Sequence, residues 1–115
     1  GMPVRSSSTA VLAWPDAKVV DEAARRWAED LRRAEASVVA VGYFGSYARG
    51  DWGVGSDLDV VIVVDDSPEP FERRAARWDA TGLPVPADVL VYTSAEWRRM
   101  SGRLREVVWV SGSPT

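Results

Sequence analysis

Residues 58–64, LDVVIVV, are apolar on both faces of any strand they form. A strand with no wet face has one place to go, the interior of a sheet covered on both sides. Yet its head carries two carboxylates one residue apart, Asp57 and Asp59. Neighbouring positions at i and i+2 of a strand share a face, about 6.6 Å apart along the chain. Paired negative charge beside apolar neighbours is costly unless something compensates it. A bound divalent cation is one such compensation; a solvated loop is the other.

The segments around this strand read as its scaffold. Val38 to Phe44 (VVAVGYF) is β-branched and aromatic and predicts a strand that Gly45 ends. Ser46 to Gly50 reads as one short helical turn with Ser46 as its N-cap, and Asp51 to Ser56, with Gly53 and Gly55, as loop. Upstream, Val20, Ala23, Ala24, Trp27, Leu31 and Ala34 recur at helical spacing after Pro15-Asp16, which predicts a helix over 16–35. Downstream, Asp65 to Pro70 is a turn, and Phe71, Ala75 and Trp78 give a helical stripe ending near Gly82. Val85 to Tyr92 predicts a third strand, with Pro86 marking an early or edge position. Ser94 and Trp97 open a helix over 95–104, and Val107 to Val110 forms a last strand or simply packs. Residues 1–13 read as an N-terminal arm and 14–115 as one domain. The fold class expected is α/β (α+β), a small mixed sheet of three to four strands with helices packed against it.

Composition narrows the chemistry. With no His and no Cys, the chain lacks the commonest base, thiolate chemistry and the usual transition-metal ligands. A metal must then be held by oxygen, which selects Mg, Mn or Ca. The net charge of −3 gives no strong nucleic-acid signal. No apolar run approaches the roughly 20 residues of a membrane span, and the start, GMPVRSSSTA, shows no signal peptide, its Gly before Met reading as an expression scar. The location expected is cytoplasmic. Six Trp in 115 residues fill core or mark an interface, where Trp is enriched.

Three further positions bear on a site. Gly45-Ser46 follows a strand and opens a helix, where free backbone N–H groups meet a phosphate; the bland alternative is a capped turn. Arg49, one helical turn on, faces the same anion or is a solvated surface Arg. Asp88 stands in an apolar run, unusual for a lone Asp; it converges on Asp57 and Asp59 if strand three pairs with strand two, and otherwise serves as a cap or ion pair at a strand end. Three carboxylates beside a phosphate cradle make a two-metal arrangement.

Gly45-Ser46, ten intervening residues, Asp57-x-Asp59 and a later strand Asp88 resemble the DNA polymerase β-like nucleotidyltransferase superfamily. Within it, GSYARGDWGVGSDLDVVIVV is most similar to the minimal nucleotidyltransferases, or MNT proteins. The resemblance covers nearly the whole chain. It implies that Asp57 and Asp59 ligate Mg2+ (or Mn2+), that Gly45 and Ser46 bind the terminal phosphates of ATP, and that Asp88 binds the catalytic metal and orients the accepting hydroxyl. It implies transfer of a nucleoside monophosphate with release of pyrophosphate. It also implies a partner, a small helical HEPN-type protein, with the MNT chain as antitoxin. Nothing in the residues names the acceptor or the oligomeric state; a homo-oligomer is possible. Two other readings compete. Gly45 to Gly50 satisfies G-x-x-x-x-G, but Asp51 and Trp52 stand where a P-loop needs Lys and Ser/Thr. A non-catalytic nucleotide-binding antitoxin that masks its partner would keep the same carboxylates.

Overall fold

The computed structural model describes residues 14–100 and 106–114. The expected N-terminal arm lies outside them. Helix α1, Ala17–Ala34, starts where Asp16 accepts a hydrogen bond from the Val19 N–H at 3.0 Å, the capping expected of an Asp there. It buries Val20, Ala24 and Ala28, one stripe at four-residue spacing. The two alanines let the helix lie close on the sheet.

Four strands form the sheet: β1 Val38–Phe44, β2 Leu58–Val64, β3 Ala87–Thr93 and β4 Val108–Gly112, in the order β3-β2-β1-β4. β1 pairs antiparallel with β2 and β4, and β2 pairs parallel with β3. β2 is thus interior, as its two apolar faces require. Leu58, Val60, Ile62 and Val64 join the α1-side core, while Val61 and Val63 meet Ala40 and Trp97 on the opposite face. Each such side chain contributes about 1.5–3 kcal/mol on burial. The tryptophans serve these cores: Trp97 is buried, and Trp14, Trp27, Trp52, Trp78 and Trp109 are partly buried against them. Gly42 is required at the β1–β4 contact, because a Cβ there would stand 2.8 Å from Trp109 Cε3, Val107 Cγ1 and the Val108 carbonyl.

Three short helices complete the order: α2 Ser46–Arg49, α3 Phe71–Arg74 and α4 Ser94–Arg99. The helix expected as far as Gly82 stops early. α3 passes into a 3-10 turn, Ala75–Arg77, and Trp78 is extended. The stripe expected to face one way serves two faces instead: Phe71 packs on Tyr92 at 5.1 Å, whereas Trp78 joins the α1-side core. No straight helix places both. Asp79 then takes hydrogen bonds from the Thr81 N–H and hydroxyl at 3.0 and 2.6 Å, holding the chain in a turn. Arg74, buried, donates to the Glu69 and Val91 carbonyls and to both carboxylate oxygens of Glu96, tying α3 to β3 and α4. α4 is capped by Thr93 and Glu96 in a reciprocal capping box; the expected continuation to 104 falls outside the described residues. Among the described residues no helix is long and apolar enough to cross a membrane.

Candidate active site

The site is built where β1 ends, β2 begins and β3 begins. Gly45 turns the chain out of β1 with φ 78° and ψ −151°, a region open essentially to glycine alone. A Cβ there would overlap the Oδ2 of Asp59. The glycine is therefore needed twice, for its backbone and for the close approach to a carboxylate.

Gly45, rather than the expected Ser46, is the N-cap of α2, and it makes no side-chain capping bond. The Ser46 hydroxyl is thus not consumed by capping, and Ser46 is half-buried beside the turn. Its position depends on Tyr47, which sequence reasoning missed. Tyr47 is buried, accepts a hydrogen bond from Trp14 Nε1 at 3.0 Å, donates to the Pro15 carbonyl at 3.3 Å and stacks on Trp52 at 5.5 Å. An aromatic directly after Gly-Ser in a polar passage was the available signal. Arg49 is exposed, with its Nε on Asp51 at 3.2 Å. That is a surface pair of little energetic weight, and it turns the guanidinium to Asp51.

The loop between α2 and β2 closes on itself, the Gly53 N–H donating to Ser56 Oγ at 2.8 Å. Leu58, fully buried on the α1 side, anchors the strand entry. Alternation then puts Asp57 and Asp59 on the opposite face. The parallel register pairs Asp59 with Asp88 directly, so these two lie side by side on that face. Asp88 is the second residue of β3 and exposed, and Asp57 is exposed just ahead of β2, while Asp59 is half-buried. The expectation that all three carboxylates stand among apolar neighbours holds for Asp59 alone. Burial raises the Asp59 carboxyl above the usual carboxylate range, and the charges of Asp88 and Asp57 raise it further; Arg49 opposes them. None of the three accepts a hydrogen bond or ion pair from another described residue. As the side chains stand, no group of three or more Asp, Glu, His or Cys among the described residues is disposed to hold a metal ion. The register supplies the pair, and the charges share one field, without a closed ligand shell.

Even so, the residues fit an oxygen-loving divalent cation. The donors are carboxylates, the ionised form of Asp59 is disfavoured by surroundings that a cation would offset, and Gly45 leaves space against Asp59 that a side chain would fill. From Asp59 and Asp88 an open groove of about 1290 Å³ runs past Phe44 and Leu90 to Arg77 and Trp78.

Known proteins resemble this chain in fold and in sequence. A crystal structure from Sulfolobus solfataricus described as "a putative nucleotidyltransferase" superposes with a TM-score of 0.60, covering 78% of each chain at 21% identity, a likeness of fold. A curated Methanocaldococcus jannaschii protein bearing the name "Putative protein adenylyltransferase" is 40% identical over 48 residues, 42% of this chain. The matched segment spans 48% of that relative's length. The family model for the nucleotidyltransferase domain matches residues 24–110, from α1 through β4. On that match the chain belongs to the nucleotidyltransferase domain family.

Proposed function

We propose that this domain transfers AMP from ATP to a hydroxyl acceptor with release of pyrophosphate. The observation that carries the reading is the Asp59–Asp88 register pair with the Gly45 backbone pressed against Asp59. In this reading Asp57, Asp59 and Asp88 hold Mg2+ or Mn2+. The bound cation supplies charge neutralisation on the triphosphate and polarisation at the reacting phosphate. Gly45 and Ser46 receive the terminal phosphates, the glycine by permitting close approach and the serine by its unconsumed hydroxyl. Arg49 reaches the same phosphates on leaving Asp51. Asp88, at the mouth of the groove, accepts a hydrogen bond from the acceptor hydroxyl and orients it. Positioning and charge compensation account for the rate.

The name of the Methanocaldococcus relative favours a protein as acceptor. The GSYARGDWGVGSDLDVVIVV segment, similar to minimal nucleotidyltransferases, favours an antitoxin role beside a HEPN-type partner. The open carboxylate arrangement supports a second reading, a nucleotide-binding module that masks its partner without turnover.

ATP with Mg2+ should raise the melting temperature, since ligand at a hundred times Kd stabilises by about 2.7 kcal/mol. Asp57→Asn should abolish that shift with the fold intact. An Asp57→Asn variant that binds ATP–Mg like wild type removes the metal assignment. Labelled ATP incubated with the partner protein then separates the readings: covalent label supports transfer, and a tight unlabelled complex supports masking.

A further inference from the structure

α2 is a single turn set between two glycines of positive φ, Gly45 at 78° and Gly50 at 88°. One turn of helix does not hold itself in place, because helices shorter than about 12–15 residues are marginal without tertiary contacts. The loop that follows gives little hold: a Cβ added at Gly50, Gly53 or Gly55 would meet no atom within 4 Å. Tyr47 is the one buried residue of the turn. Its ring stacks on Trp52. Its hydroxyl is engaged by one short segment, accepting from Trp14 Nε1 at 3.0 Å and donating to the Pro15 carbonyl at 3.3 Å. That segment is itself fixed, since the next residue, Asp16, caps α1, and α1 packs on β1 and β4.

We infer that Trp14 is a positioning residue for the nucleotide: through the Tyr47 hydroxyl, the segment ahead of α1 holds the Gly45-Ser46 turn in the placement that accepts a triphosphate. The inference rests on the transferase reading above and deepens it with a control point away from the carboxylates. Trp14 and Tyr47 belong to the α1-side core, and neither lines the groove beside Asp59 and Asp88. With the hydroxyl gone, the turn moves about Gly45 and Gly50 while the sheet and its carboxylates stay where they are. A turn that is competent only part of the time weakens binding by that fraction, because the apparent Kd is the intrinsic Kd divided by the competent population. Bound ligand selects the competent placement. Each chain therefore still binds one triphosphate, and only the affinity falls. Loss of the two hydrogen bonds corresponds to a weakening of about five- to tenfold.

The test compares the intact chain with two variants. Tyr47→Phe keeps the ring and its stack on Trp52 and removes only the hydroxyl; Trp14→Phe removes the indole N–H. Without nucleotide, amide exchange is followed at Ala48, Arg49 and Gly50, whose N–H groups bond to the Gly45 and Ser46 carbonyls at 3.0, 2.9 and 2.9 Å. Exchange there should speed by about tenfold or more in Tyr47→Phe while β2 exchanges as in wild type. With Mg2+, calorimetry should show the Kd of ATP and of inorganic triphosphate raised alike, by about five- to tenfold, with one ligand still bound per chain. Trp14→Phe should move both readings the same way, and the double variant should be no weaker than Tyr47→Phe, because both act through one hydroxyl. Unchanged exchange at 48–50, or unchanged Kd in both variants, overturns the inference. So does a fall in stoichiometry at constant Kd, a loss confined to ATP and spared by triphosphate, or additive losses in the double variant. Should Tyr47→Phe fail to fold, Trp14→Phe decides by the same readings. Wild type that binds neither ATP nor triphosphate strikes the transferase reading and takes this inference with it, whereas normal binding with unchanged exchange in the variants strikes this inference alone.

Discussion

Replacing Gly45 by Ala isolates the contact on which the site depends. Two costs add. The backbone at φ 78°, ψ −151° is a glycine-only region, and holding another residue there costs about 1–3 kcal/mol. The new Cβ also overlaps Asp59 Oδ2, and forcing atoms into occupied space costs about 1–3 kcal/mol where the neighbour cannot retreat fully. Asp59 is a side chain on a rigid interior strand, so it rotates away rather than the strand moving, which places the second term at the low end. The sum is about 2–4 kcal/mol, a fall in melting temperature of roughly 8–16 °C for a domain of this size. Urea denaturation followed by Trp fluorescence measures it, with ATP–Mg binding followed in parallel. Because Asp59 is displaced, the ligand-induced shift should vanish as well. Adding Asp59→Ala to Gly45→Ala should recover about 1 kcal/mol, since it removes the overlap and leaves the backbone cost. A Gly45→Ala variant within about 0.5 kcal/mol of wild type that still binds ATP–Mg would refute the argument, and so would a double variant with no recovery.

Asp59→Asn should melt higher than wild type without ligand at pH 7, because burial and the charges of Asp88 and Asp57 raise the Asp59 carboxyl and penalise its ionised form once the pH exceeds its folded value; it should also lose the ATP–Mg shift, and a lower melting point with the shift intact contradicts both points. The Arg74 guanidinium, aided by the Thr93 N–H, holds the Glu96 carboxyl down at about 2, so its stabilisation is complete above about pH 4.5 and is lost as the pH falls toward 2. Glu96→Gln should lower stability at pH 7 by about 1.5–3 kcal/mol and flatten that acid limb of the stability profile; a limb of unchanged steepness would mean another carboxylate causes it. Gly42→Ala should cost about 1–3 kcal/mol and speed amide exchange in β4, because the new Cβ meets Trp109, Val107 and Val108; unchanged exchange there would show that the strand has room to give.

The central strand was legible because burial on both faces leaves no other use for LDVVIVV, and its ends match at Leu58 and Val64. Helix α1 was legible for the same local reasons, a stripe of small and apolar residues and an Asp at its start. The chemistry of the site could be read as far as residue types go: with His and Cys absent, the carboxylates and the Gly-Ser turn were the groups available. Tertiary contacts decided the rest. The stripe from Phe71 to Trp78 looked like one helix, because periodicity cannot tell that Phe71 belongs to one face of the sheet and Trp78 to the other. Asp88 appeared to lie inside a buried strand, yet it is the exposed second residue of an edge. Strand order is set by pairing between segments far apart in the chain, and a linear pattern carries no record of it. That pairing, through a parallel register, sets Asp88 beside Asp59.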